Sequence, residues 1–278
     1  PEEEKGDKKF AKELASLGDI YINDAFATAH RKHASTATIA EFFPNNKYFG
    51  LLLANELKNL NFILNEAKSP FTAIIGGAKV SSKISIIKNL INKVDNLIIG
   101  GGMAFTFIKA FGGEVGGSLV EDEKIPEVKE MVQEMMLRGV NLYIPTDAVI
   151  ADGFYDEANF KESQADAIPK NWMGLDIGRK TCRRFADIVN ASETIIWNGP
   201  MGVFELPHFK QGTKSIAIAV ASATIRGSFS LIGGGDSVAA INQYNLADQI
   251  SYVSTGGGAM LEFIEGKELP GVKAIMED

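Results

Sequence analysis

The stretch Phe229 to Ile241, FSLIGGGDSVAAI, lines up an apolar run, three glycines, an acid and the start of a helix-like pattern. Glycines let backbone approach an anion, and the unpaired N–H groups of a helix N-terminus point at it. Asp236 beside that turn supplies a hard oxygen able to hold Mg2+ against a polyphosphate. Taken alone, Asp236 and Ser237 suit a plain helix cap after a tight turn equally well. In GGAKVSSK, Lys79 and Lys83 stand four apart, which predicts both ammonium groups on one face of a helix near its start. The helix dipole disfavours each cation there by ~0.3–1 kcal/mol, so the placement asks for a phosphate chain unless both are solvated surface lysines.

Other residues carry weaker chemistry. Asn198 and Glu205 bracket NGPMGVFE, where an acid at a sheet edge can hydrogen-bond a ribose hydroxyl or be an ordinary loop acid. Arg31 can clamp a carboxylate or phosphate bidentately, or sit as a surface cation. His30 and His33 lack a third ligand, which argues against zinc, and Cys182, with no histidine close in sequence, reads as packing. Two nucleotide fingerprints are absent. The Walker A spacing does not occur, and Gly100 to Phe105 fails G-x-G-x-x-G because Phe105 takes the third glycine's place.

The elements that must position these residues are short β-rich runs alternating with helical segments from Phe71 onward: FTAII, DNLII, VNLYI, TIIW, FSLI and SYV, with helices between. Such alternation predicts a doubly wound parallel sheet, a Rossmann-like three-layer α/β/α arrangement. The runs end in Gly76-Gly77-Ala78-Lys79, Gly100-Gly101-Gly102-Met103, Asn198-Gly199-Pro200, Gly233-Gly234-Gly235-Asp236 and Thr255-Gly256-Gly257-Gly258. In an open parallel sheet these turns share the carboxyl edge and line one crevice. Upstream, Phe10, Leu14 and Leu17 predict an amphipathic helix, Ile20 to Ile22 a strand, Thr36 to Phe43 a helix, and Phe49 to Ala67 a connector helix of about five turns.

With 278 residues, 45% hydrophobic and 23% charged, the chain can bury one large or two small cores. A formal charge of −7 offers no footprint for nucleic acid or an anionic membrane, and no apolar run is long enough to span a bilayer. One cysteine fits a reducing, cytoplasmic setting. The charged opening PEEEKGDKK, without a methionine, leads us to expect a fragment or a processed product.

The segments ELASLGDIYINDAF with TAHRKHAST, IIGGAKVSSKI, LIIGGGMAFTFIKA, GLDIG, IIWNGPMGVFE, LIGGGDSVAAI and STGGGAMLEFIEGKELPGVKAI occur in the order and approximate spacing of the phosphoglycerate kinase family, which the chain resembles over essentially its whole length. The resemblance implies a monomeric two-lobed α/β kinase of glycolysis. It would move a phosphoryl group reversibly from 1,3-bisphosphoglycerate to ADP, giving ATP and 3-phosphoglycerate, with Mg2+. It further implies that Lys79 faces the transferred phosphoryl, that Lys83 faces the nucleotide phosphates with Ser237 near them, and that Asp236 holds the metal. Gly77, Gly100, Gly101, Gly174 and Leu175 would border the adenine, with Asn198, Pro200 and Val203 beside it and Glu205 on the ribose, and Ala78 would also bind the nucleotide. Gly234, Gly235, Gly257 and Gly258 would offer N–H groups to the moving phosphoryl, and Arg31 would bind the substrate anion.

The family's amino-terminal V-R-x-D-[FL]-N-V-P segment has no counterpart here. Residues 1–48 are therefore expected to be the remnant of an incomplete substrate lobe, 49–68 an interdomain helix, 69–266 the nucleotide-binding domain and 267–278 a return segment. Three positions depart from the family: Ala27 where glycine is common, Arg179 where GLDIGP has proline, and Met260 where serine is frequent. A φ above zero at Ala27 would cost of order 1 kcal/mol. Rival readings are a non-catalytic nucleotide-binding module and a nicotinamide-dependent oxidoreductase.

Overall fold

The computed structural model describes residues 1–277 and groups them as two units, Pro1–Glu66 together with the residues from Ser254 on, and Ala67–Val253. In the first unit, α1 (Lys8–Ala15) starts where the Asp7 carboxylate accepts from Phe10 N at 2.8 Å. Phe10 and Leu14 pack with Ala11 on Tyr21, Ile39 and Phe43, as their spacing predicts, but Leu17, expected on the same face, lies beyond the helix end and is exposed. β1 (Tyr21–Asn23) pairs in parallel with β2 (Lys47–Phe49). The helix expected over Thr36 to Phe43 is a short 3-10 stretch, Thr38–Phe42. α2 (Leu51–Asn65) has 15 residues, about four turns rather than five. Asp24 Oδ1 accepts from Leu53 N at 2.8 Å in its first turn.

The second unit runs β3 (Phe71–Ile75), α3 (Ile84–Leu90), β4 (Asn96–Ile99), α4 (Ala104–Ala110), β5 (Glu114–Val115), α5 (Ile125–Arg138) and β6 (Asn141–Tyr143). It continues through β7 (Asp147–Ala151), β8 (Phe160–Gln164), β9 (Ala167–Ile168), β10 (Met173–Ile177), α6 (Arg179–Asn190), β11 (Thr194–Asn198), α7 (Gln211–Ile225), β12 (Phe229–Ile232), α8 (Gly235–Gln243) and β13 (Tyr252–Val253). Six strands form one sheet in the order β13-β12-β11-β3-β4-β6, all pairs parallel. Every residue of β3 and β11 is buried. Strands covered on both faces read as unbroken apolar runs, which is why FTAII and TIIW were legible. Ile74, Ile98, Phe185, Ile195, Trp197, Ile216, Val220 and Ile232 build the core between sheet and helices. This is the expected doubly wound, Rossmann-like α/β fold.

A separate antiparallel sheet, β10-β7-β8, and the short parallel pair β5-β9 were not anticipated. β8, FKESQ, is almost wholly exposed and carries no apolar alternation to mark it. β10 bulges against β7 between Gly174 and Asp176, which bends a strand at a site discussed below.

The chain then rejoins the first unit as α9 (Gly257–Ile264) and α10 (Pro270–Met276). The buried Glu56 carboxylate accepts from Ser254 Oγ at 2.9 Å and from Thr255 N and Oγ1, both at 2.7 Å. Ala274 and Ile275 pack on the α1 cluster. By packing, Ser254–Gly266 groups with the first unit, whereas the sequence reading set it at the end of the nucleotide-binding domain. Asp278, last of the expected return segment, lies outside the described residues. No helix among the described residues is long and apolar enough to cross a membrane.

Candidate nucleotide site

At the carboxyl ends of β3, β4, β11 and β12 the chain turns at Gly76–Gly77, Gly100–Gly102, Gly199–Pro200 and Gly233–Gly234. β3 and β11 are neighbours although the chain leaves β3 for β4 on its other side, so a topological switch point lies between them. The turns interlock through backbone: Gly76 N donates to Asn198 O at 2.9 Å, Gly77 N to Pro200 O at 3.0 Å and Gly101 N to Met201 O at 3.1 Å. Gly199 has φ 95°, and a Cβ on it would lie 2.2 Å from Gly76 O. Only glycine fits that crossing.

Asn198 is buried and joins three of these turns. Its Oδ1 accepts from Lys83 Nζ, and its Nδ2 donates to Gly233 O at 2.7 Å. Ser237 is buried too, and its hydroxyl accepts from Gly199 N at 2.6 Å. The structure therefore shows both side chains fixing the rim. Lys79 and Lys83 correct the sequence reading, because neither lies inside a helix: α3 begins at Ile84, with Lys83 at its cap. Val80 O accepts from Lys83 N at 2.8 Å, closing a turn between the two lysines. Val80, buried completely, anchors that turn and leaves Lys79 exposed.

A cavity of 730 Å³ opens beside the turns. Gly77, Ala78, Gly101, Gly174, Leu175, Pro200, Val203, Glu205 and Asp236 all line it, so residues spread over 160 positions of sequence converge, whereas Gly100, Gly234 and Gly235 stand outside its lining. Its apolar wall, including Phe105, Leu119, Phe154, Met173 and Leu206, went unnoticed in the sequence because such residues look like core anywhere. Phe105 packs against the Gly174 backbone, where a Cβ would sit 1.9 Å from the ring's Cζ. The residue that breaks the dinucleotide fingerprint thus forms part of the wall. A cavity this size, mostly apolar with few polar groups at its edge, suits a planar heterocycle with a polar tail.

Asp176 is the acid that sequence reasoning missed. It lines the cavity yet is 3% exposed. Burial pushes its carboxyl up to about 8, against the pull of the backbone N–H groups of Gly212, Ile177 and Gln211. Gly212 N reaches Oδ2 at 2.7 Å and Ile177 N reaches Oδ1 at 2.9 Å. The side chain ties the bulge of β10 to the first turn of α7.

Asp236 sits exposed in the first turn of α8 and Glu205 is exposed at the cavity edge. A Cβ on Gly235 would meet nothing within 4 Å, so the helix start is open to a ligand. Among the described residues no three His, Cys, Asp or Glu side chains converge. A lone accessible carboxylate fits Mg2+, which takes one or two carboxylates and fills its remaining positions with phosphate and water.

Arg31, Gly257 and Gly258 belong to the first unit. There Arg31 Nε lies 3.4 Å from His30 Nε2, and a Cβ on Gly258 would lie 3.0 Å from the same nitrogen, so Arg31 and Gly258 both lie against His30. The departures prove mild. Ala27 is in a 3-10 turn and is not among the residues of positive φ, so the feared strain is absent. Arg179 is the first residue of α6, its side chain 83% exposed beside Glu162. Met260 is fully buried on the inner face of α9.

A profile of the phosphoglycerate kinase family matches residues 1–267. The chain is 52% identical over 269 residues to a phosphoglycerate kinase of Porphyromonas gingivalis, across 96% of this chain and 64% of that one. It is similar in structure to phosphoglycerate kinase from Coxiella burnetii, with TM-score 0.92 and 42% identity over 100% of this chain and 70% of that one. The enzyme from Pyrococcus horikoshii superposes with TM-score 0.81 at 30% identity, over 95% and 65% of the two chains. These matches run through the glycine turns, both lysines and the cavity, and on them the chain belongs to the phosphoglycerate kinase family.

Proposed function

We propose that the second unit binds Mg-ADP or Mg-ATP, and that the protein to which this chain belongs transfers a phosphoryl group between 1,3-bisphosphoglycerate and ADP. The observation that carries the reading is the shared rim: Gly77, Gly101, Glu205 and Asp236 border one apolar cavity, and Asn198 tethers Lys83 at the same edge. In this reading adenine enters between the Gly174–Leu175 and Gly77–Gly101 backbones, with Val203 and Pro200 beside it, and Glu205 takes the ribose. Lys83 meets the nucleotide phosphates and Lys79 the transferred group. In the second unit the amides of Gly234 and Gly235 at the start of α8 serve the moving phosphoryl; in the first unit the family likeness gives phosphoryl binding to the amides of Gly257 and Gly258 at the start of α9, and the substrate anion to Arg31. Mg2+ on Asp236 would neutralise phosphate charge. The reaction asks for positioning and charge stabilisation more than covalent help from the protein.

The proposed division is a substrate-lobe remnant over 1–48, an interdomain helix over 49–68, a nucleotide-binding domain over 69–266 and a return segment after it, in a cytoplasmic monomer. Titration calorimetry tests the site. The chain takes up MgADP and not NAD, and Lys83→Ala weakens ADP about tenfold; full affinity in that variant refutes the phosphate contact. A second reading, a nucleotide-binding piece without turnover, is favoured by the chain spanning only 64% of the length of the relative it matches. We expect a coupled assay on these 278 residues to show no turnover and the longer polypeptide to show it. Turnover by the chain alone defeats this second reading.

A further inference from the structure

Between the two lysines, Ser81 is held at two points by one carboxylate. Glu121 Oε2 accepts from Ser81 N at 3.0 Å and Oε1 from Ser81 Oγ at 2.5 Å, across 40 residues of sequence. Burial works against the charged form of Glu121, but the Ser81 hydroxyl, the N–H groups of Ser81 and Val80 and the Lys79 charge outweigh it and hold the carboxyl below its usual range. Glu121 is itself anchored: its N–H donates to Thr106 Oγ1 on α4 at 3.1 Å, and the next residue, Asp122, pairs with Lys109 of the same helix at 2.7 Å. Two residues before it, Leu119 lines the apolar cavity.

We propose that Glu121 is a positioning residue that fixes the Lys79–Lys83 segment to the Leu119 wall of the cavity, so that the phosphate-facing lysines are set in place from the adenine side. The inference rests on the nucleotide reading of this cavity. A two-point hydrogen bond to an ionised carboxylate defines direction as well as distance. Removing it leaves the loop with its short-range ties, Lys83 N to Val80 O and Ser82 Oγ to Lys79 O, each at 2.8 Å, and with the Lys83–Asn198 bond at its far end, none of which links the segment to the Leu119 wall. Glu121 touches neither the base nor the phosphates in this scheme; it acts through the lysines, and its effect therefore scales with the phosphates on the ligand.

Calorimetry on the 278-residue chain with ADP and with adenosine, for Glu121→Ala, Glu121→Gln and Ser81→Ala, reads this directly. Glu121→Ala is expected to weaken ADP five- to twentyfold and adenosine less than twofold. Glu121→Gln, which keeps one acceptor, and Ser81→Ala, which keeps the backbone donor, fall between it and the parent chain. Equal losses for ADP and adenosine, or no loss for either, overturn the proposal. Amide exchange at Ser81 and Lys83 gives a readout without ligand: Glu121→Ala accelerates both at least tenfold while Phe71–Ile75 is unchanged. Unchanged exchange at those two amides also overturns it. Should the parent chain bind no ADP, the nucleotide reading fails, and the exchange result still decides whether Glu121 holds the loop.

Discussion

Lys83 donates its ammonium hydrogen to the side-chain oxygen of Asn198, 115 residues further along the chain. The same amide donates to Gly233 O at 2.7 Å, so one buried side chain sets a cation against the turn that precedes Asp236. Residues in one network do not contribute additively. Asn198→Ala is thus expected to weaken ADP nearly as much as Lys83→Ala, about tenfold. The double variant should lose no more than a further two- to threefold, with adenosine affinity little changed in any of the three. Fully multiplicative losses on ADP would show that Asn198 acts by another route. Asn198→Ala also leaves Gly233 O without its partner, at about 1–3 kcal/mol of stability, which denaturant midpoints will register.

Gly174 marks the opposite, phosphate-independent side of the cavity. A methyl group there lands 1.9 Å from the Phe105 ring, and that ring is 4% exposed and packed with Ile108, Val115, Ala148 and Ile150. It cannot retreat into a filled core. Gly174→Ala should therefore push the ring into the cavity and reduce ADP and adenosine affinity together, at least tenfold each. Adding Phe105→Leu should recover part of both. A Gly174→Ala chain that binds adenosine normally would remove this wall from the site.

These two sides differ in how readable they were. The glycine turns could be found from sequence because close backbone crossings, such as Gly199 over Gly76, admit one residue type. The parallel sheet could be found because doubly covered strands such as FTAII are continuously apolar. Lys79 and Lys83 were recognised as a pair but misplaced in a helix, since a spacing of four carries no sign that the helix starts only at Ile84. Glu121 and Asp176 were invisible. Each is an ordinary acid whose role arises from partners 36 to 40 residues away. Asn198 was named for the ligand's surroundings, and its bond to Lys83 could not have been read from either position alone.

Asp176 carries a pH signature. Its carboxyl, ordinarily near 3.8, is pushed up to about 8 in the folded chain by burial. Below 3.8 both states are protonated and there is no penalty. Between the two values the folded chain keeps a proton that the unfolded chain has released, so stability falls as pH rises, by at most about 1.4 kcal/mol per pH unit. Above 8 the penalty is complete. Asp176→Asn lacks this titration. Its urea midpoint, compared with that of the parent chain from pH 5 to 9, should improve in relative terms up to about pH 8 and then level. A constant difference across that range would mean that Asp176 is ionised throughout.

Arg179 offers a prediction in the stabilising direction. It is the first residue of α6, where a backbone N–H has no helical partner and proline's fixed φ is already suitable. Gly178 before it lies at φ −78° and ψ 174°, an extended conformation that tolerates a following proline. The next two amides are already satisfied: Asp147 accepts from Lys180 N at 2.9 Å and from Thr181 N at 2.8 Å. What Arg179→Pro removes is an exposed ion pair with Glu162, a contact of the kind that contributes about 0–1 kcal/mol. What it adds is a less flexible unfolded chain, typically about 0.4–1 kcal/mol. The net change in denaturant midpoint should lie between about 0.6 kcal/mol of loss and about 1 kcal/mol of stabilisation, toward the stabilising end because the ion pair is exposed, with ADP affinity unaltered because the cavity-lining Gly174 and Leu175 have their own ties, Gly174 N to Ser118 Oγ and Val203 N to Leu175 O, both at 2.9 Å. A loss of stability beyond 1 kcal/mol would show that the loop before α6 takes a different backbone path.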